Sequence, residues 1–430
     1  MFEGVRWSWS RLRGPLLALS LFTASTVVAA CTENLEGGAA CPALCPEQSE
    51  QFRDTTIDAV ALDSSVGGFP ALGIGSALLL ANRPDTLVTR TIMRFDVLNT
   101  AFAPNRTGAV DSITAVDSVF LKIPLDTTAR RGINPVTIEA YDVDTTARDT
   151  VPAVLRALFR PDRLIGSLTL TPFTTGDTIR IPINKTVMAA KIAAKARLRV
   201  GLRMVGNAGQ LRLRAFTLGI SATTLQYDPS TDTTYAPTVV TAQTTLPGAS
   251  EDVNIAYSTY GLIDVGSPAP SPTTLVVGGM PSYRTYLRFN VPLRITDSST
   301  IVRADLVLTQ QRSRYGNAND TVAIYPLVPN ATSDVSDLRR AIDLAAEGRL
   351  VGVDTALMVP SDSGQKVVNV LALARSWRTL TKTVPRALAL RIGFEGAQPA
   401  ELRFFSSEAS PALRPKLRIT YLPKSEFVLP

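Results

Sequence analysis

The phrase "RTIMRFDVL", Arg90–Leu98, returns almost unchanged as "RTYLRFNVP", Arg284–Pro292. A chain that repeats itself folds as repeated units, so this constrains the architecture before any single motif does. The correspondence continues in order: "DSVFLKIPL" from Asp117 answers to "VRADLVLTQ" from Val302, "VTIEAYDV" to "TVAIYPLV", and "RLIGSLTL" from Arg163 to "RLVGVDTAL" from Arg349. "ARLRVGLRMV" then matches "RALALRIGFE", "QLRLRAF" matches "ELRFFSS", and each copy closes on an aromatic-ended strand, "TTLQYDP" or "LRITYLP". The chain reads as a tandem duplication, residues 51–228 and 247–430. Between them, 229–246 is rich in Thr, Pro and Ser, and is either a linker or, at "APTVVTAQTTL", an edge strand.

Apolar residues alternate with period two in both copies. Val119, Leu121, Ile123 and Leu125 share one strand face, as Leu306 and Leu308 do in the second copy. Short helical inserts interrupt the strands. One is "PAVLRALFR", with Pro152 suited to a first turn and Pro161 to a stop; the other is "SDVSDLRRAIDLAAEG", capped by Ser333 and ended by Gly348. Asn184 and Asn369 each cap a further helical segment. Many short strands with a few short helices predict an all-β chain of two antiparallel sandwiches. An up-and-down barrel fits the inserts and the unequal loops less well.

The same alternation sorts the repeated phrase. Thr285, Leu287 and Phe289 fall on one face, and Tyr286, Arg288 and Asn290 on the other. Met93 and Phe95 match Leu287 and Phe289, so that face is the shared core, and Arg94 and Arg288 are expected to point outward. Tyr286 and Arg288 are then candidates for holding an acidic sugar by ring contact and guanidinium–carboxylate pairing. Only the second copy carries the tyrosine cluster Tyr257, Tyr260, Tyr283, Tyr286 and Tyr315, so binding is expected there. Trp377, the only tryptophan beyond the N-terminal leader, aligns with Ile192 through the two asparagine caps. A position that accepts either residue is expected in the core.

The chain has no histidine, which excludes imidazole as base, shuttle or metal ligand, and with it the serine–histidine triad. No Gly-rich phosphate loop follows a strand, no serine sits in a nucleophile motif, and no carboxylate pair recurs at a recognisable site. The expectation is a non-catalytic protein, with a polysaccharide lyase or hydrolase as a distant alternative. Net charge is +7 with no run of Lys or Arg, which gives no nucleic-acid tract. Asp142, Asp144 and Asp149 could ligate a structural calcium ion, but their spacing matches no calcium loop, and turn and solvation roles are preferred.

The first thirty residues join a basic "MFEGVRWSWSRLRG" to the short apolar run "PLLALSLFTASTVVAA", the pattern of a secretory signal. Val28-Ala29-Ala30-Cys31 resembles the lipobox of bacterial lipoproteins, which implies acylation of Cys31 and stable membrane attachment without a spanning helix. Thr32 in place of aspartate implies sorting to the outer membrane. Residues 31–50 form a polar tether, in which Cys41 and Cys45 either close a small disulfide loop or stay reduced.

The order of "YRTYLRFNVP", "RADLVLT", "VVNVLALARSW", "LALRIGFEG", "LRFFSSEA" and "LRPKLRITY" resembles the DNRLRE-type domain, a jelly-roll module related to an alginate-recognising carbohydrate-binding family. The likeness covers roughly Asp252–Pro423, and the first copy follows the same order in degenerate form. It implies tandem jelly rolls and a polysaccharide or envelope-protein partner for the second copy.

Overall fold

The alternating segments form strands because one face of each is apolar and can be buried against a second layer. In the computed structural model, the residues described are 52–58, 60–69, 77–103, 110–132, 135–145, 151–171, 177–214, 223–230, 237–242, 259–328, 349–350, 355–380 and 386–423. Cys31, Cys41, Cys45, Tyr257, Asp149 and the helical insert at 333–348 lie outside them.

The strands of the first copy are β1 (Arg53–Ile57), β2 (Val60–Phe69), β3 (Ala77–Arg83), β4 (Leu87–Phe95), β5 (Ala101–Phe102), β6 (Asp111–Ser112), β7 (Val116–Gly132), β8 (Val136–Asp142), β9 (Leu164–Leu170), β10 (Thr178–Pro182), β11 (Leu198–Gly206), β12 (Gly209–Arg214) and β13 (Thr224–Pro229). Then follow β14 (Thr238–Thr241), β15 (Thr259–Val265), β16 (Thr274–Gly278), β17 (Ser282–Phe289), β18 (Ser299–Gln311), β19 (Val322–Val328), β20 (Arg349–Leu350), β21 (Ala356–Met358), β22 (Gly364–Asn369), β23 (Ala387–Ile392), β24 (Glu401–Phe405) and β25 (Lys416–Pro423). Four short helices intervene: α1 (Pro152–Arg156), α2 (Lys185–Ala193), α3 (Leu293–Thr296) and α4 (Leu371–Ser376).

All pairings are antiparallel, and apart from the two-stranded ribbon β5–β6 they make two curled sheets, each a half-barrel of the jelly-roll sandwich type. One runs β14-β13-β7-β12-β3-β4-β11-β8-β9, with β10 on β7 and β15 on β4. The other runs β1-β25-β18-β24-β16-β17-β23-β19-β20, with β22 on β18, β2 on β17 and β21 on β19. The two orders are the same wiring written twice, as the repeat requires.

The repeat and the sheets part company at the N-terminal arm of each copy. The arm of the first copy, β1 and β2, pairs into the second sheet: Arg53–Ile57 lie against Leu417–Tyr421, and Ser65 lies opposite Thr285. In the first sheet the corresponding places are filled by β14, which pairs with β13, and β15, which places Gly261 opposite Thr91. The exchange is reciprocal, and the acceptor strands β4 and β17 are the two copies of the repeated phrase. Arg53–Lys424 accordingly form a single compact unit. The stretch 229–246 contributes β14 as an edge strand.

Each sheet closes over its own core. One contains Met93, Phe95, Leu121, Ile123 and Ile192; the other contains Leu287, Phe289, Leu306, Leu308 and Trp377. Trp377 is fully buried, and its Nε1–H donates to the Ala387 carbonyl at 3.2 Å. The side chain of Asn184 accepts from the Thr186 and Val187 amides to start α2, and Asn369 accepts from the Leu371 amide before α4. Pro152 opens α1 as expected, whereas Pro161 opens a short 3-10 turn, 161–163, instead of merely ending the insert.

The outer faces depart from expectation. Arg94 is 4% exposed and Tyr286 3% exposed, so neither points into solvent. Period two tells which side of a strand a residue occupies but not what lies over that side. In the first copy α1 and the residues just after it lie over it, packing Leu155 and Phe159 on Ile92, Tyr141 and Val143. Gly201 admits this close approach, since a Cβ there would meet the Phe159 ring at 2.6 Å. Arg94 stands beside Asp96, which also pairs with Arg199. In the second copy Arg284 is bound by both carboxylate oxygens of buried Glu395, and Tyr286 lies next to that pair. Burial raises the Tyr286 phenol to about 12, Arg284 opposing and Glu395 adding to the shift.

Candidate functional site

The cleft of interest opens where the two copies meet and has a volume of about 410 Å³. The first copy supplies Thr128 and Arg131 from the end of β7 and Arg212 from β12; the second supplies Asp320 and Tyr325 at and on β19, and Phe394 and Gln398 from the loop after β23. Long-range pairing puts these groups together, since the two walls come from different halves of the chain.

Arg212 is the central tie. Its Nε donates to the Ala397 carbonyl at 3.0 Å, Nη2 to Gln398 Oε1 at 2.8 Å, and Nη1 to Asp126 Oδ2 at 2.9 Å. Burial pushes the Asp126 carboxyl up, but hydrogen bonds from Thr128 and Arg212 outweigh it and hold the group below the usual carboxylate range. Arg131 reaches across the cleft to Asp320 at 3.0 Å, and Asp320 also accepts from the Asn317 side chain at 2.9 Å. Arg83 donates to Asn317 Oδ1 at 3.2 Å, a further tie between the copies.

Phe394 stands apart from the polar residues of the cleft. It is 58% exposed, with its ring 4.7 Å from the Arg212 guanidinium carbon, and its φ is +52°. A bulky residue in the left-handed region is strained by roughly 1–2 kcal/mol. The first copy shows the ordinary solution. Met204 pairs with Ile138 as Ile392 pairs with Ile324, and two residues further on stand Gly206, φ +91°, and Phe394. Glycine takes that backbone without penalty. The second copy instead carries a large apolar ring there and presents it to water.

The sequence-derived candidates fall elsewhere. Tyr286 is buried against Arg284 and Glu395, and Arg288 is half-buried. Tyr283 and Tyr315 come together around Glu401 and Arg403: the Arg403 guanidinium lies 4.8 Å from the Tyr315 ring, and Tyr283's phenol is raised by burial and by Glu401, with Arg403 opposing. Tyr260 lies on β15 opposite Ile92. Of the tyrosines with described side chains, Tyr283, Tyr286 and Tyr315 do not line the cleft. The signal that could have found Phe394 is its alignment with Gly206, which register makes exact but which the strings alone leave loose.

The acidic group is also accounted for. Asp142 is ion-paired with Lys191 at 2.9 Å, and Asp144 with Arg197 at 2.7 Å, so these carboxylates are neutralised by the chain's own cations. Among the described residues no group of three or more His, Cys, Asp or Glu is placed to hold a metal ion.

No family model matches this chain, and no curated protein is similar to it. Among solved structures it is similar to the VP2 subviral particle of infectious bursal disease virus, at 10% identity over 86% of this chain and 76% of that one, with a TM-score of 0.13. The T13 particle of the same virus is matched at 9% identity over 88% and 75%, with a TM-score of 0.12. Superpositions this weak carry no argument about fold or function.

Proposed function

We propose that this chain is a non-catalytic surface lipoprotein, anchored through Cys31 in the outer membrane, that binds glycan in the cleft between its two copies. The observation that carries this reading is Phe394: an exposed ring held in a strained left-handed backbone at the position that Gly206 occupies in the sister copy. A flat apolar ring complements the C–H face of a pyranose, and the hydroxyls and amides around it can bond the sugar's own hydroxyls. Strain at an exposed residue is an argument for function, and the ring's contact with the Arg212 guanidinium belongs to the same cleft. The resemblance to DNRLRE-type modules and the lipobox-like leader support the same reading.

The test is affinity electrophoresis and calorimetry of the mature chain on a broad glycan panel, with Phe394→Asn as the control. Asparagine tolerates the left-handed region, so this variant is expected to keep or slightly raise the melting temperature while weakening binding about tenfold, the equivalent of ~1.4 kcal/mol. A blank panel together with a protein partner recovered from envelope extracts would replace glycan binding by a structural or adhesive role.

A further inference from the structure

The cleft contains arginines, yet it is not a basic site. Arg131 is paired with Asp320 at 3.0 Å, and Arg212 gives three nitrogens to Asp126, Ala397 and Gln398 at 2.8–3.0 Å while only 6% exposed. Arg391, which lies 5.8 Å from the Tyr325 ring and 3.9 Å from the Glu395 carboxylate that Arg284 holds, does not line the cleft. The two guanidiniums that line the cleft therefore each have a carboxylate of their own, Asp320 for Arg131 and Asp126 for Arg212, and these charges cancel within the wall. A uronate or sulfate entering here would have to displace Asp320 from Arg131 or sit beside it as a like charge. A neutral sugar meets neither obstacle. Phe394 offers the stacking face, and Thr128, Asn319, Thr321 and Tyr325 line the cleft with hydroxyl and amide groups.

We infer that the ligand is a neutral, hydroxyl-rich glycan, and that the Arg131–Asp320 bridge excludes acidic polysaccharides. The inference rests on the cleft being a glycan site. On the full mature chain, soluble neutral polymers (β-glucan, mannan, xylan) and acidic ones (alginate, pectin) are compared at about 0.05 and 0.5 M salt, conditions that change the screening length several-fold. The expected result is retention by a neutral polymer, unchanged by salt, with at least about tenfold weaker retention by the acidic ones. Asp320→Asn, which leaves Arg131 without its carboxylate, is expected to gain salt-sensitive retention by alginate or pectin. Preference of the unaltered protein for an acidic polymer, with retention lost as salt rises, would overturn the inference while leaving the glycan site standing. Silence across the whole panel would overturn the glycan reading itself.

Discussion

At the scale of single residues, burial and backbone conformation separate packing roles from binding roles. Trp377 and Ile192 occupy equivalent core positions, so Trp377→Ala is expected to destabilise the fold by about 3–5 kcal/mol, as large core truncations do. Denaturant unfolding measures this, and the protein that remains folded should bind glycan with unaltered affinity. Asp126 gives a pH dependence. Its folded pKa is depressed, so its contribution to stability is present above the unfolded value, about 3.9, and is lost as pH falls through the lower folded value. The junction should therefore loosen in acid, seen as faster amide exchange at 126–131 and 393–398 below about pH 4. In Asp126→Asn that acid-dependent part should disappear.

At the scale of elements, the exchanged arms matter most. Ser65 Oγ lies 3.1 Å from Thr285 Oγ1 across the β2–β17 pair. An unexchanged arrangement would instead put Ser65 beside Thr91, the place that Gly261 of β15 takes. Two cysteine pairs distinguish the topologies: Ser65→Cys with Thr285→Cys should crosslink readily within one chain, and Ser65→Cys with Thr91→Cys should not. Non-reducing electrophoresis after mild oxidation reads both. Efficient 65–91 crosslinking would show that each copy keeps its own arm.

At the scale of the whole molecule, the exchange makes two repeats into one cooperative body. Strands cross between the halves: β1 brings Ile57 into the second core, and β15 packs Leu262 with Ile92 in the first half. One thermal transition is expected where two independent modules would give two. A protease site introduced between 243 and 258 should leave the two pieces co-eluting in gel filtration until denaturant is added. Separation in native buffer would refute the interlock. The cleft depends on the same union, so the second copy alone is expected not to bind.

Much of this protein was legible from residue order. The repeat, the period-two strands, the caps at Asn184 and Asn369 and the shared core position of Ile192 and Trp377 are all local or same-strand properties, which depend on residue type and spacing alone. The tertiary structure decided what lies beyond a strand's own alternation. Tyr286 and Arg94 read as outward yet are buried, because a period of two does not say what covers a face. β2 and β15 read as members of their own copies yet pair with the other, because strand partners far apart in the chain are chosen by register and packing. The cleft follows from that choice, since only the joined copies bring Arg131 and Arg212 against Asp320 and Phe394.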